Sequence, residues 1–212
     1  MKRVVLYVEG GGDSADQKAQ LRTGFDGLFL NLKELARGNG VSFRIVCAGD
    51  RNNAHKAFLN AQDKSSDVAF LLVDSEEGLP GAAKTSAGNR TAFLRKRDGW
   101  ALSEDDEDRV HLMVCCMETW IVSDPESLSQ FYGSGFDKSA LPARQNLEEE
   151  SKEDVQEKLR RATSSSNKGA YQKLRHASQI LPKLKSQTIS ARCQHFELIV
   201  SALGKALSQS AA

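Results

Sequence analysis

Arg3-Val4-Val5-Leu6-Tyr7-Val8-Glu9-Gly10-Gly11-Gly12-Asp13 decides the fold of this 212-residue chain. Its first six residues form a short apolar run that reads as a first strand. The strand delivers a carboxylate, Glu9, straight into three glycines. The carboxyl ends of such strands are where open α/β sheets place their chemistry. Val68-Ala69-Phe70-Leu71-Leu72-Val73 repeats the arrangement and delivers Asp74-Ser75-Glu76. If the two strands are neighbours, three acidic groups meet at one edge.

The sequence around these runs fills in an α/β pattern. After Gly12-Asp13-Ser14, a helix carries Leu21, Phe25, Leu28, Phe29, Leu32 and Leu35 at three-to-four spacing and stops at Gly38-Asn39-Gly40. Residues 41–47 read as a second strand, about 54–62 as a short helix and 67–73 as the third strand. This β-α-β-α-β order predicts a mostly parallel, Rossmann-like sheet flanked by helices. Residues 77–109, rich in Gly, Ser and charge, read as a long surface excursion. A fourth strand is expected over 110–116, then a helix opened by Met117-Glu118-Thr119-Trp120 and started afresh at Asp124-Pro125. Ser151-Lys152-Glu153-Asp154 resembles a capping box, and further helices are expected over roughly 168–181 and 188–208. The expected division is an α/β core over residues 1–135 and a helical C-terminal extension over 136–212.

Composition limits the function classes. With 29 basic and 28 acidic residues, the net charge of +1 gives no global affinity for polyanions. The charges are nevertheless segregated, with acidic clusters at 104–108 and 148–150 and a basic excess from Arg160 to Arg192. Cys47, Cys115, Cys116 and Cys193 form no CxxC pair, which argues for buried reduced thiols rather than zinc. The apolar start is too short for a signal-peptide core, and no run approaches membrane-spanning length. A soluble cytoplasmic protein without membrane attachment is expected. Gly10-Gly11-Gly12 lacks the Gly-Lys-Ser/Thr ending of a P-loop and does not match a dinucleotide fingerprint.

The acidic residues point to phosphodiester chemistry assisted by a hard cation. Mg²⁺ (or Mn²⁺) takes oxygen ligands and few carboxylates, leaving room for water and phosphate. Glu9, Asp74 and Glu76 supply such ligands, and Asp74 and Glu76 are two apart, on one side of an extended chain. Glu118, directly after the fourth strand, is a fourth candidate ligand. Convergence of the first three carboxylates to within roughly 4–6 Å is what a shared cation requires. Gly10 and Gly11 would let a phosphate backbone approach without meeting a Cβ atom. Arg90, Arg95, Lys96 and Arg97 in the excursion are candidate contacts to a nucleic-acid backbone.

The segments VVLYVEGGGD, LLVDSEEG and HLMVCCMETWIVSDPESLSQFYG, with KGAYQKLRHASQIL from Lys168, resemble a bacterial Toprim-like family of uncharacterised domains. Genes of that family often lie beside ATPase genes in defence islands. The resemblance covers nearly the whole chain and implies a Toprim fold. In that fold a Glu on the first strand and a DxD pair on the third serve phosphodiester chemistry with Mg²⁺. Carried over, Glu9 matches the Toprim Glu, Asp74 the first Asp, and Glu76 replaces the second with a longer carboxylate. A late Lys that steadies phosphate charge in related nucleases corresponds to Lys168 or Lys173. The implied function is a metal-dependent nuclease acting on DNA or RNA as the effector of an anti-phage system, with an ATPase of the ABC or OLD type as partner. The alternative is a non-catalytic module that docks on such an ATPase. A receiver-like phosphoacceptor fits less well, because glycines rather than acidic residues follow Glu9. Whether the chain forms a homodimer is left open.

Overall fold

The computed structural model describes residues 2–62, 67–79 and 89–208. Its centre is a four-stranded parallel sheet in the order β2-β1-β3-β4, built from β1 (Arg3–Val8), β2 (Ser42–Cys47), β3 (Asp67–Asp74) and β4 (Val110–Met113). Val8 pairs with Cys47 on one side and Leu72 on the other, so β1 and β3 are neighbours in the middle of the sheet. The chain leaves β1 towards β2 and leaves β3 towards β4, in opposite directions. Strand order therefore reverses between β1 and β3, which opens a crevice at their carboxyl ends.

Strand alternation sorts the apolar side chains between two cores. Val4, Leu6, Val8, Phe70, Leu72 and Met113 point to one side, and Ala69, Leu71, Val73, Val110 and Leu112 to the other. The first core is closed by α1 (Ala15–Leu28), α2 (Leu30–Gly38) and helices that follow β4. These are α5 (Met117–Val122), α6 (Pro125–Tyr132), α7 (Lys152–Thr163), α8 (Lys173–Ile180), α9 (Ser186–Ser190) and α10 (Gln194–Ser208). The second core lies under α3 (Arg51–Gln62) and α4 (Arg90–Asp98), with Trp100 and Leu102. Residues from α7 to α10 are thus part of the same core as β1, and Lys2 Nζ reaches the Ala206 carbonyl oxygen at 3.0 Å. No helix among the described residues is long and apolar enough to cross a membrane.

Several expected boundaries move, each for a local reason. The helix expected through Leu35 breaks at Phe29, whose φ of −98° and ψ of 26° end α1 before α2 begins. The fourth strand stops at Met113, short of 116, because Cys115 takes a left-handed φ of 63° and donates its N–H to Ser75 Oγ at 2.7 Å. The excursion is structured in its second half: α4 lies there, and Leu94, Trp100 and Leu102 are buried. Its residues 80–88 lie outside the described residues. The helix expected from 168 begins at Lys173, and the one expected from 188 divides into α9 and α10. Ser151 caps α7 by accepting the Asp154 N–H at 3.0 Å.

The approach of α1 to α8 and to the turn after it depends on two glycines. A Cβ on Gly24 would lie 2.9 Å from Ser178 Cα in α8, and one on Gly27 would run into Pro182 Cβ in the turn. Gly27→Ala is therefore expected to cost about 1–3 kcal/mol by overpacking, despite alanine's better helix propensity. Gly38→Ala, with open space around its new methyl, should be neutral or mildly stabilising. Urea unfolding of both variants reads the difference; equal stability of the two would contradict this packing.

Candidate metal centre

Glu9 follows β1 directly and extends the ladder by one step, donating its N–H to the Leu72 carbonyl oxygen at 2.9 Å. Its side chain therefore rises beside the end of β3, where Oε2 accepts the Asp74 N–H at 3.0 Å. Asp74, the last residue of β3, is buried, and its Oδ1 accepts the Met117 N–H at 2.9 Å. Glu76 takes a left-handed φ of 68° and hydrogen-bonds the Cys115 carbonyl oxygen from its N–H at 3.0 Å. A non-glycine residue in that region carries strain that the surrounding structure must hold. Here it turns the carboxylate back towards β1. One oxygen from each of Glu9, Asp74 and Glu76 then lies within 4.8 Å of the other two.

Three cations frame this group. Arg51, at the start of α3, donates from Nη1 to the Asp74 carbonyl oxygen at 3.2 Å and lies 4.0 Å from Glu9 Oε2. It is braced by Asp98, 2.8 Å from Nη2, and by the Trp100 ring, 5.2 Å beneath the guanidinium. Lys152, the first residue of α7, pairs with Glu76 Oε2. Lys173, the first residue of α8, places Nζ 3.5 Å from Asp74 Oδ2 and 3.6 Å from Glu118 Oε2. Tyr171 holds the other Glu118 oxygen, donating its hydroxyl to Oε1 at 2.9 Å.

Burial dominates the protonation of the site. It pushes Asp74 up to about 7, against the pull of Lys173 and with further push from Glu9, Glu118 and Glu76. Burial also raises Glu9, opposed by Arg51 and the Asp74 N–H. For Glu76 burial is outweighed by the hydrogen bond and charge of Lys152, which hold its carboxyl below the usual range. Burial works against the Lys173 ammonium, but Asp74 and Glu118 overcome it and raise its pKa. Lys173 is therefore a fixed positive charge at neutral pH.

The structure separates the residues singled out in the sequence. Glu9, Asp74 and Glu76 converge, while Glu118 stands behind Lys173, buried, with Oε2 facing the ammonium rather than the three-carboxylate group. Of the two late lysines, Lys173 joins the site; Lys168 is exposed and lies over the Phe131 ring at 4.8 Å. Arg90 is a correction to the basic set. It is buried at 2% exposure and donates to the carbonyl oxygens of Val110 and Glu107, fixing α4 to β4, so a nucleic-acid strand cannot reach it. Arg95 and Lys96 are exposed, and Lys96 and Arg97 line a groove of about 420 Å³ with Glu77, Gly78, Leu79 and Phe93. Gly10 and Gly11 turn the chain at φ 120° and 96°, and the space left by their missing Cβ atoms is filled by Leu21 and Lys18 of α1 rather than open to a phosphate, a correction to the expected contact. A Cβ on Gly11 would meet Lys18 Cα at 2.8 Å, so this turn admits only glycine. Arg51, Lys152 and Tyr171 escaped the sequence reading as site residues. The usable signal for Arg51 was its place just after β2, at the same sheet edge as Glu9.

A family model described as a domain of unknown function (DUF4276) matches residues 8–204, nearly the whole fold, and the chain belongs to that family. No curated protein and no solved structure matches it.

The buried Asp74 makes stability pH-dependent. Its folded pKa of about 7 stands above the ordinary 3.8, so the folded state binds the extra proton between those values. Stability contributed by that proton is full below the unfolded value and is lost as pH rises through the folded one. In chelator, Asp74→Asn is expected to flatten this decline, so that the variant compares better with wild type at pH 8 than at pH 5. Denaturant unfolding between pH 5 and 8 measures it; parallel pH profiles would contradict the assignment.

Proposed function

We propose that this DUF4276 protein is a divalent-metal-dependent phosphodiesterase that cuts nucleic acid, a Toprim-like nuclease. The observation that carries the proposal is the convergence of Glu9, Asp74 and Glu76 within 4.8 Å at the crevice between β1 and β3. All the donors are carboxylate oxygens, the set preferred by Mg²⁺ or Mn²⁺ rather than by zinc. The residues present therefore fit such an ion, with Glu9, Asp74 and Glu76 as its holders. Bound there, it would supply charge neutralisation on the phosphate and a water of lowered pKa.

The chain's own residues supply the rest. Glu9, raised above the usual carboxylate range, is suited to accept a proton at its free oxygen. Lys173 presents a compact ammonium, half-buried beside Asp74, to a phosphate oxygen. Glu118 and Tyr171 fix the direction of that ammonium rather than contact substrate. Lys96 and Arg97 lie along the groove that follows Glu76 and are suited to hold a strand's backbone. Work beside an ATPase partner in anti-phage defence rests on the Toprim-like resemblance of the sequence.

Two measurements test this reading. Calorimetry with Mn²⁺ should show binding that Asp74→Ala abolishes. Incubation with DNA and RNA oligonucleotides and Mn²⁺ should show cleavage lost in Glu9→Gln and Asp74→Ala. Lys173→Met should lower cleavage by about 10²-fold, as loss of a transition-state charge partner does, while Mn²⁺ binding is retained. Cleavage unchanged in both carboxylate variants would overturn the mechanism. Absence of metal binding would leave the non-catalytic docking module as the better account.

A further inference from the structure

Beside the carboxylates lies a cavity of about 190 Å³ between the glycine turn, α1 and α8, lined by Gly11, Gln17, Leu21, Met117, Lys173 and Leu174. It is continuous with the metal centre through two residues: Met117, whose N–H binds Asp74, and Lys173, whose ammonium faces it. Its walls are mostly aliphatic. Leu174, at its edge, is 54% exposed, one of few large apolar side chains so open to water. Lys173 is paired, but other polar groups around the cavity are not. Gln17 lends only Oε1 to the Ser14 N–H, and the amides of Gly11 and Gly12 donate to nothing among the described residues.

Size and chemistry select the occupant. An apolar protein cavity of about 150 Å³ holds one benzene ring, so this space takes one heteroaromatic ring and excludes a base pair. Aliphatic walls suit the faces of such a ring, and unpaired amide donors suit its carbonyl and ring-nitrogen acceptors. An ammonium at the cavity's inner edge suits the phosphate attached to it.

We propose that this cavity receives one unpaired base of the nucleotide adjoining the scissile phosphate, which makes the enzyme selective for single-stranded nucleic acid. The proposal rests on the nuclease reading and names its substrate class. A base held in a duplex reaches the cavity only by leaving the stack, at a cost a single strand does not bear. The base's fit in turn sets the phosphate beside Lys173.

The test compares three substrates on the full chain with Mn²⁺: a single-stranded oligonucleotide, its duplex, and the same strand with abasic sites. Single strand should be cut at least tenfold faster than duplex or abasic strand. Leu174→Asn changes an exposed residue outside the metal centre without adding charge. It should lower kcat/KM on the normal strand about tenfold while leaving abasic cleavage and Mn²⁺ affinity unchanged. Equal cutting of single strand and duplex, or an equal effect of Leu174→Asn on normal and abasic strands, overturns the proposal. If nothing is cut although Mn²⁺ binds, the nuclease reading fails on its own. Fluorescence anisotropy with Ca²⁺ then decides the cavity: tighter binding of the single strand, weakened by Leu174→Asn, supports it, and no such preference overturns it.

Discussion

A carboxylate buried beside three others must be offset by positive charge, and that constraint organises this protein. Asp74 is 3% exposed and has Glu9, Glu76 and Glu118 as neighbours. Burial of an ionised carboxylate without compensation costs several kcal/mol. The compensation comes from far along the chain: Arg51 from α3, Lys152 from α7 and Lys173 from α8. Backbone donors at Met117 and Asp74 complete it. Three cations against four carboxylates leave an excess of negative charge, in keeping with the rise of Asp74 to about 7, which burial drives and its acidic neighbours add to.

The same constraint explains why the helices after β4 belong to the core. Lys173 reaches Asp74 only because α8 packs against α1, through the close approach at Gly24 and Gly27. Lys152 reaches Glu76 only because α7 packs on α5, which itself begins at the Asp74-bound Met117 N–H. A chain cut near residue 135 would keep the three converging carboxylates but lose Lys152 and Lys173.

Much of this was legible in the sequence, and the limits are physical. The β-α-β order of the segments announced a parallel sheet, and the apolar runs ending in Glu9 and Asp74 an acidic edge, because crossover connections put the carboxyl ends of parallel strands on one side. The third carboxylate was legible from its spacing, although Glu76 reaches the site through a left-handed turn rather than the extended chain that spacing implies. Charge on a helix does not reveal its partner. Arg90 and Arg97 look alike in sequence, yet one is a buried brace to Val110 and the other lines an open groove. The choice between Lys168 and Lys173 depended on where α8 begins, and helix starts are set by packing as much as by caps. Arg51 and Tyr171 act over long sequence separations, which local pattern does not encode.

If Glu9, Asp74 and Glu76 share a cation, anomalous diffraction from crystals grown with Mn²⁺ shows one strong peak with oxygens of all three side chains in the range of about 2.0–2.6 Å. Crystals diffracting well enough to show the three carboxylates, with no peak among them, would contradict it.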